Sequence, residues 1–147
     1  MNILGIESTA HTFGIGIVNS KGKTLANFKD TKTSESGGFL PREAAEHHYL
    51  IAGDMIKKAL KEAKLKIKDI DLIGFSRSPG IGQCLESGAL MARYLSLRYN
   101  IPLIGVNHCI AHIEIGKLHT KLKDPLTIFV SGANTQIIAY KNKRYRI

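Results

Sequence analysis

The chain has 147 residues, enough for one ordinary domain with its own core, and 44% hydrophobic content with a mean hydropathy of -0.06 argues against a disordered chain. No apolar run approaches the roughly 20 residues that cross a bilayer, and "MNILGIES" has no basic stretch ahead of its apolar residues, so the expectation is a cytoplasmic protein with neither signal peptide nor membrane anchor. Lys and Arg outnumber Asp and Glu by 21 to 12, leaving +9, which suits either a phosphate-rich partner such as RNA or a plain basic surface; 7% aromatics without Trp gives no base-stacking platform.

Residues 2–6, "NILGI", and 13–18, "FGIGIV", flank the polar turn "ESTAHT", and "TLANFKDTK" follows "NSKGK", so the chain opens as a three-stranded meander. "SESGGF" is a Gly/Ser loop. Pro41 stands where a helix begins, with Glu43 in its first turn, and the helix is expected to run to Lys64. Its apolar stripe is Ala44, Ala45, His48, Ala52, Met55, Ile56, Ala59, Leu60 and Ala63, while Lys57, Lys58, Lys61 and Lys64 load the end that the helix dipole favours for cations. "IDLIGFS" reads as a buried strand, "RSPGIG" as a loop, residues 83–99 as a second helix and "IPLIGVNH" as another buried strand. A third helix follows over "NHCIAHIEIG", with Asn107 as its N-cap. This alternation implies a mixed sheet with helices on its faces.

Beyond Asp124-Pro125, "LTIFVSGANTQIIAYKNKRYRI" reads as strand, small polar turn, strand and a basic end. It repeats the device of "ILGIESTAHTFGIGIV", an apolar strand meeting a turn rich in hydroxyl residues and returning as a strand, which suggests two related domains: 1–124, and the first strands of a second over 125–147. A hairpin of that size buries no core alone and must pack on other structure. Both turns are of a kind that can bring backbone N–H groups to a phosphate, and both are equally of the kind that simply closes a hairpin. Their pairing at corresponding places favours a nucleotide clasp, with Glu7, Ser8, Thr9 and His11 as the candidate phosphate turn of the first unit.

His108 and His112 are four apart on the third helix, so both imidazoles can reach one ion, although two histidines are an incomplete set. A zincin peptidase is excluded, because the position after the first histidine, which must be Glu, is Cys109. "GFSRS" follows a strand as a nucleophile elbow would, but it ends in Ser78 where that turn requires Gly, and no Asp or His partners follow in order. The two cysteines, Cys84 and Cys109, have no CxxC spacing and read as buried thiols.

"GIESTAHTFGIGIV", "GGFLPREAAEHH", "DLIGFSRSPGIG", "PLIGVNHCIAHIEIG" and "VSGANTQIIAYKNKRYRI" together resemble the archaeal branch of the Kae1/TsaD/Qri7 family, over its N-terminal half only. The resemblance implies a ribonuclease-H-like α/β domain of the actin, Hsp70 and sugar-kinase (ASKHA) superfamily. It also implies a tRNA N6-adenosine threonylcarbamoyltransferase, which moves threonylcarbamoyl from threonylcarbamoyl-AMP to N6 of adenosine 37 in tRNAs reading codons that begin with A.

By the same resemblance His108 and His112 hold one divalent metal, iron before zinc or magnesium, and Phe129, Val130, Ser131, Gly132, Ala133, Asn134 and Thr135 line the substrate, either threonylcarbamoyl-AMP or ATP. The attacking group is the adenosine amine, so no protein nucleophile is implied. The implied partners are tRNA, the KEOPS subunits Pcc1 (through the helices at 41–64 and 83–99), Bud32 and Cgi121, and a C-terminal half. Archaeal members usually carry Tyr, a metal ligand, where this chain has Phe129, and a Gly-Gly turn where it has Gly132-Ala133; Ser78 and Glu86 stand for the family's usual Gly and Arg. The ligating Asp lies in the other half. The alternative is a non-catalytic half that binds Pcc1 or a separate C-terminal polypeptide.

Overall fold

Alternation decides which side of each strand becomes core. The computed structural model describes residues 1–33, 37–131 and 134–147, with Asn134 by its backbone alone, so the loop expected at 34–39 lies partly outside the described residues. The elements are β1 (Asn2–Glu7), β2 (Thr12–Asn19), β3 (Thr24–Thr31), α1 (Pro41–Ala63), β4 (Leu72–Ser78), α2 (Gly82–Tyr99), β5 (Leu103–Asn107), α3 (His108–Thr120), β6 (Thr127–Ser131), β7 (Asn134–Lys141) and β8 (Arg144–Arg146). They fall into two compact units, Met1–Val106 and Asn107–Ile147.

In the first unit the sheet order is β3-β2-β1-β4-β5, with β1 antiparallel to β2 and parallel to β4. Register sets Leu4 between Ile17 and Ile73, and Ile6 between Ile15 and Phe75, so these apolar residues share one face. Leu4, Phe13, Ile17 and Ile73 are fully buried there. α1 covers β2 and β3, α2 covers β1 and β4, and the two helices pack on each other. The opposite face carries Gly16, Gly5 and Gly74 in register across three strands.

The helix ends follow local chemistry. Pro41 opens α1, where a missing N–H costs nothing, and Lys64 closes it in the left-handed region, with the Leu65 N–H reaching back to the Leu60 carbonyl at 2.9 Å. The buried face of α1 is Ala44, Ala45, His48, Ala52, Met55, Ile56 and Ala59, as the stripe predicts. Small residues also set the fit of α2. A Cβ on Gly88 would press into the Ser8 hydroxyl and stand 3.0 Å from the Ser8 Cβ.

In the second unit β6, β7 and β8 form a three-stranded antiparallel sheet. Cys109 and Ile113 of α3 are buried with Ile138 of β7, and Phe129 and Tyr145 pack around them. The sequence reading ends its first domain at 124, with α3 inside it; the compact division falls before α3 because that helix packs on the hairpin. The terminal "RYR", read above as a basic end, is a paired strand whose Tyr145 lies opposite Tyr140.

Two consequences for stability follow. Gly88→Ala is expected to destabilise by about 1–2 kcal/mol, overpacking against Ser8 outweighing the gain in helix propensity, whereas Gly53→Ala on α1, with nothing within 4 Å, should stabilise by up to about 1 kcal/mol; urea titration of both variants checks this. Burial lowers the pKa of His48 from the ordinary 6.5, with its contact to the Ala10 carbonyl opposing. The unfolded chain therefore takes up this proton first as pH falls: the contribution is complete above about pH 6.5 and is lost progressively below it. Denaturation midpoints should fall from about pH 7.5 to about pH 5.5. His48→Gln should flatten that slope.

Candidate functional site

Asn107 caps α3 by accepting the Ile110 N–H at 3.1 Å, as its residue type predicts, and so places His108 in the first turn. One turn on, His112 shares its face: the two Nε2 atoms are 3.2 Å apart and the rings meet edge-on, with centroids 4.5 Å apart. The His112 ring also lies 5.8 Å from that of Phe129 on β6.

Two nitrogens on one metal, each about 2.0–2.1 Å from it at tetrahedral or octahedral angles, are about 2.9–3.4 Å apart. The observed separation lies in that range, so the pair fits two adjacent positions of one cation. Phe129 offers a ring and no donor oxygen. The nearest carboxylate in sequence, Glu114, is engaged elsewhere: it accepts hydrogen bonds from the Tyr145 hydroxyl and from Lys117 Nζ, the latter at 3.3 Å, and the Tyr145 bond holds its pKa below the ordinary value. Among the described residues no group of three or more His, Cys, Asp and Glu converges.

The substrate-lining run is divided by the pleat. Phe129 faces the helix side and Val130, 70% exposed, faces the other, so from Val130 only the backbone can share a surface with the Phe129 ring. Ser131 pairs with Asn134 and Val130 with Thr135, bringing those backbones together where the hairpin closes. Gly132 and Ala133 lie outside the described residues, as does the side chain of Asn134.

In the first unit, the turn between β1 and β2 is held on several sides. The Ser8 N–H donates to Ser76 Oγ at 3.0 Å and the Thr9 N–H to Glu7 Oε1 at 2.7 Å, so the amides of two of the four expected phosphate-turn residues, Glu7, Ser8, Thr9 and His11, are taken by protein. Ser8 is fully buried, Thr9 is 8% exposed, and the Ser8 hydroxyl is buried without a partner among the described residues. The Thr9 carbonyl accepts the Ile81 N–H at 2.8 Å, and the Ala10 carbonyl accepts from His48 Nε2 at 2.7 Å.

Among the described residues only Ser78-Pro79 is cis, so both following peptide units are trans, and in a trans unit C=O and N–H point opposite ways. With those two carbonyls hydrogen-bonded within the protein, the N–H groups of Ala10 and His11, on the opposite sides of the same peptide units, point away from Ile81 and His48 respectively. Sequence reasoning includes His11, whose side chain is exposed, but misses Ala10, because an alanine carries no signal of what its amide does.

Ser76, the centre of "GFSRS", is 7% exposed, lies within β4 and accepts the Ser8 amide. It is a structural acceptor, consistent with the exclusion of a nucleophile elbow. Cys84 and Cys109 are both buried, and burial pushes the Cys84 thiol up.

The family model described as TsaD, tRNA N6-adenosine threonylcarbamoyltransferase, matches residues 23–147. A protein of Thermococcus sibiricus bearing that enzyme name is 55% identical over 147 residues, which is 100% of this chain and 45% of that protein. Among solved structures, YeaZ from Pseudomonas aeruginosa is similar with a TM-score of 0.64 at 14% identity, over 84% of this chain and 51% of that one. The Aquifex aeolicus PPX-GPPA enzyme has a TM-score of 0.53 at 11% identity, over 100% of this chain and 50% of that one. At such identities the likeness bears on fold alone, and the fold is the expected ribonuclease-H-like mixed α/β one. The chain spans under half the length of the curated relatives it matches, 45% in the first of them. With a family model running over residues 23–147 and identity of this order along its whole length, the chain belongs to the TsaD family of tRNA N6-adenosine threonylcarbamoyltransferases.

Proposed function

We propose that this chain is the N-terminal portion of an enzyme that transfers threonylcarbamoyl from threonylcarbamoyl-AMP to N6 of adenosine 37 in tRNAs reading codons that begin with A. The observation that carries this is the match of residues 23–147 to the family, supported by a histidine pair whose nitrogens are spaced for one cation. His108 and His112 hold a divalent metal, iron before zinc or magnesium, whose chemistry is to polarise the threonylcarbamoyl carbonyl. Residues 129–135 line the acyl-adenylate, through their backbone at 129–131 and 134–135. The Ala10 and His11 amides receive phosphate oxygens of threonylcarbamoyl-AMP or ATP.

In the transfer, the adenosine amine attacks the carbamoyl carbon, the new C–N bond forms as the bond to the phosphate oxygen breaks, AMP leaves, and the amine proton is released. The chain contributes binding and orientation and needs no nucleophile of its own. Because Phe129 brings no oxygen to the pair, the remaining ligands come from outside these residues, from the C-terminal half of the longer protein. Residues 125–147 are then the first strands of that half's domain.

The partner reading rests on a second observation. α1 and α2 leave Leu50, Leu90, Tyr94 and Leu97 exposed, Leu50 at 82% and Leu97 at 85%. This is the helical surface through which the family would engage Pcc1 within a KEOPS assembly that includes Bud32 and Cgi121, in the cytoplasm. Among the described residues no helix is long and apolar enough to cross a membrane.

Two experiments test the proposal. The chain is mixed with a polypeptide supplying the remaining length of its relatives, tRNA, threonine, bicarbonate, ATP and an adenylate-forming enzyme. Threonylcarbamoyl-adenosine is expected by mass spectrometry, and its absence with both polypeptides folded and assembled sinks the enzyme reading. Separately, the assembly of the chain with that polypeptide should carry iron or zinc at up to about one equivalent, and His108→Ala or His112→Ala should lower occupancy by at least about tenfold at unchanged helicity. Equal metal content in wild type and both variants would remove the pair from the site.

A further inference from the structure

The turn after β1 depends on a histidine in another element. His48, on α1, is fully buried, its ring 5.3 Å from that of Phe13, and its Nε2 lies 2.7 Å from the Ala10 carbonyl. A carbonyl oxygen can only accept, so Nε2 carries the proton. On its other side, His48 Nδ1 faces His47 Nδ1 at 3.5 Å, and His47 Nε2 lies 2.9 Å from Asp30 Oδ1 of β3. Asp30, as a carboxylate, accepts the His47 Nε2 proton.

The chain Asp30–His47–His48–Ala10 therefore has one gap, between the two Nδ1 atoms, and it admits one proton and no more. With the gap empty, both rings are neutral. A proton in the gap, whichever Nδ1 carries it, leaves the His48 Nε2 proton on the Ala10 carbonyl. In both states the Ala10 carbonyl has its donor.

We propose that His48 is a positioning residue for the anion-receiving turn: by holding the Ala10 carbonyl in its Nε2–H tautomer, it aims the His11 amide outward beside that of Ala10. This rests on the reading of the turn as a phosphate site given above. The second carbonyl of the turn has a matching holder in Ile81 N–H, and a Cβ at Gly80 would stand 2.6 Å from that same Thr9 oxygen, so the loop approaches as closely as glycine permits. Removing the His48 donor therefore frees one peptide unit while the neighbouring unit stays fixed. Burial favours the neutral ring, as do the nearby His47 and His11; Glu7 and the Ala10 bond act in the other direction.

The test uses the full chain labelled with 15N. Long-range 1H–15N correlation of the His48 ring should show the Nε2–H tautomer. His48→Phe keeps the ring volume and removes the donor; it should shift the Ala10 and His11 amide resonances, speed exchange of the His11 amide by about tenfold, and weaken inorganic pyrophosphate binding by a similar factor. His48→Gln, which retains an N–H donor, should recover most of the loss. A buried histidine that merely filled space would leave those amides unmoved by Phe.

An Nδ1–H tautomer in the wild type overturns the proposal whether or not the variants fold, and so do unchanged Ala10 and His11 amides in folded His48→Phe. If tautomer and amide effects appear but pyrophosphate leaves both amides of the wild type unshifted, positioning by His48 stands and the phosphate reading of the turn fails.

Discussion

The close approach of α1 to the sheet is the constraint on which the first unit depends. Ala44, Ala45, Ala52 and Ala59 line the buried side of that helix, and a stripe of such small side chains lets its backbone lie near β2 and β3. The gain is the burial of Phe13, Ile15 and Ile17 beneath it, each worth about 1.5–3 kcal/mol when fully removed from water. The same closeness brings the His48 imidazole within hydrogen-bond distance of a backbone carbonyl 38 residues earlier in the chain. A bulkier stripe would lift the helix and leave that carbonyl buried with no donor, at a cost of about 1–3 kcal/mol. Packing and site geometry thus share one cause.

α2 works by the same rule from the other side. Gly88 admits Ser8 against the helix, and Gly80 admits the Thr9 carbonyl against the loop. The turn is therefore shaped by what approaches it, more than by its own residues. This explains how a sequence as permissive as "STAH" takes one conformation with its first two amides occupied and its next two directed outward. A site held by contacts from several elements loses little entropy when a ligand arrives, which is the physical content of preorganisation.

Much of this was legible in the sequence. Strand alternation, Pro41 at the start of α1, the Asn107 cap and the four-residue spacing of His108 and His112 are local signals, and each appears where its chemistry predicts. What escaped was non-local. β8 reads as a charged tail because Tyr145 acquires its meaning only opposite Tyr140 and beside Glu114 of α3. The assignment of turn amides was incomplete because the groups that occupy Ser8 and fix Thr9 come from Ser76 and Ile81, about 70 residues away. The grouping of α3 with the hairpin was likewise invisible, since it rests on Cys109, Ile113 and Ile138 meeting in space.

The second unit carries the histidine pair on a small foundation. Its fully covered core is Cys109, Ile113 and Ile138, whereas the face of the sheet away from Phe129 exposes Ile128, Val130 and Ile137, each between 60% and 70%. On that face Lys141 lies directly opposite Arg144, a like-charge cross-strand pair that weakens the hairpin. Three short strands and one helix with Ile128, Val130 and Ile137 in water are marginal by themselves, and the spacing of His108 and His112 depends on that small core. Ligands held on such an element bind a cation well only when further structure covers the bare face and stiffens the sheet. The relatives have more than twice the length of this chain, enough to provide that cover. This is the physical reason for assigning the proposed transfer to the longer protein, with these residues supplying two of the proposed metal ligands and one proposed phosphate turn.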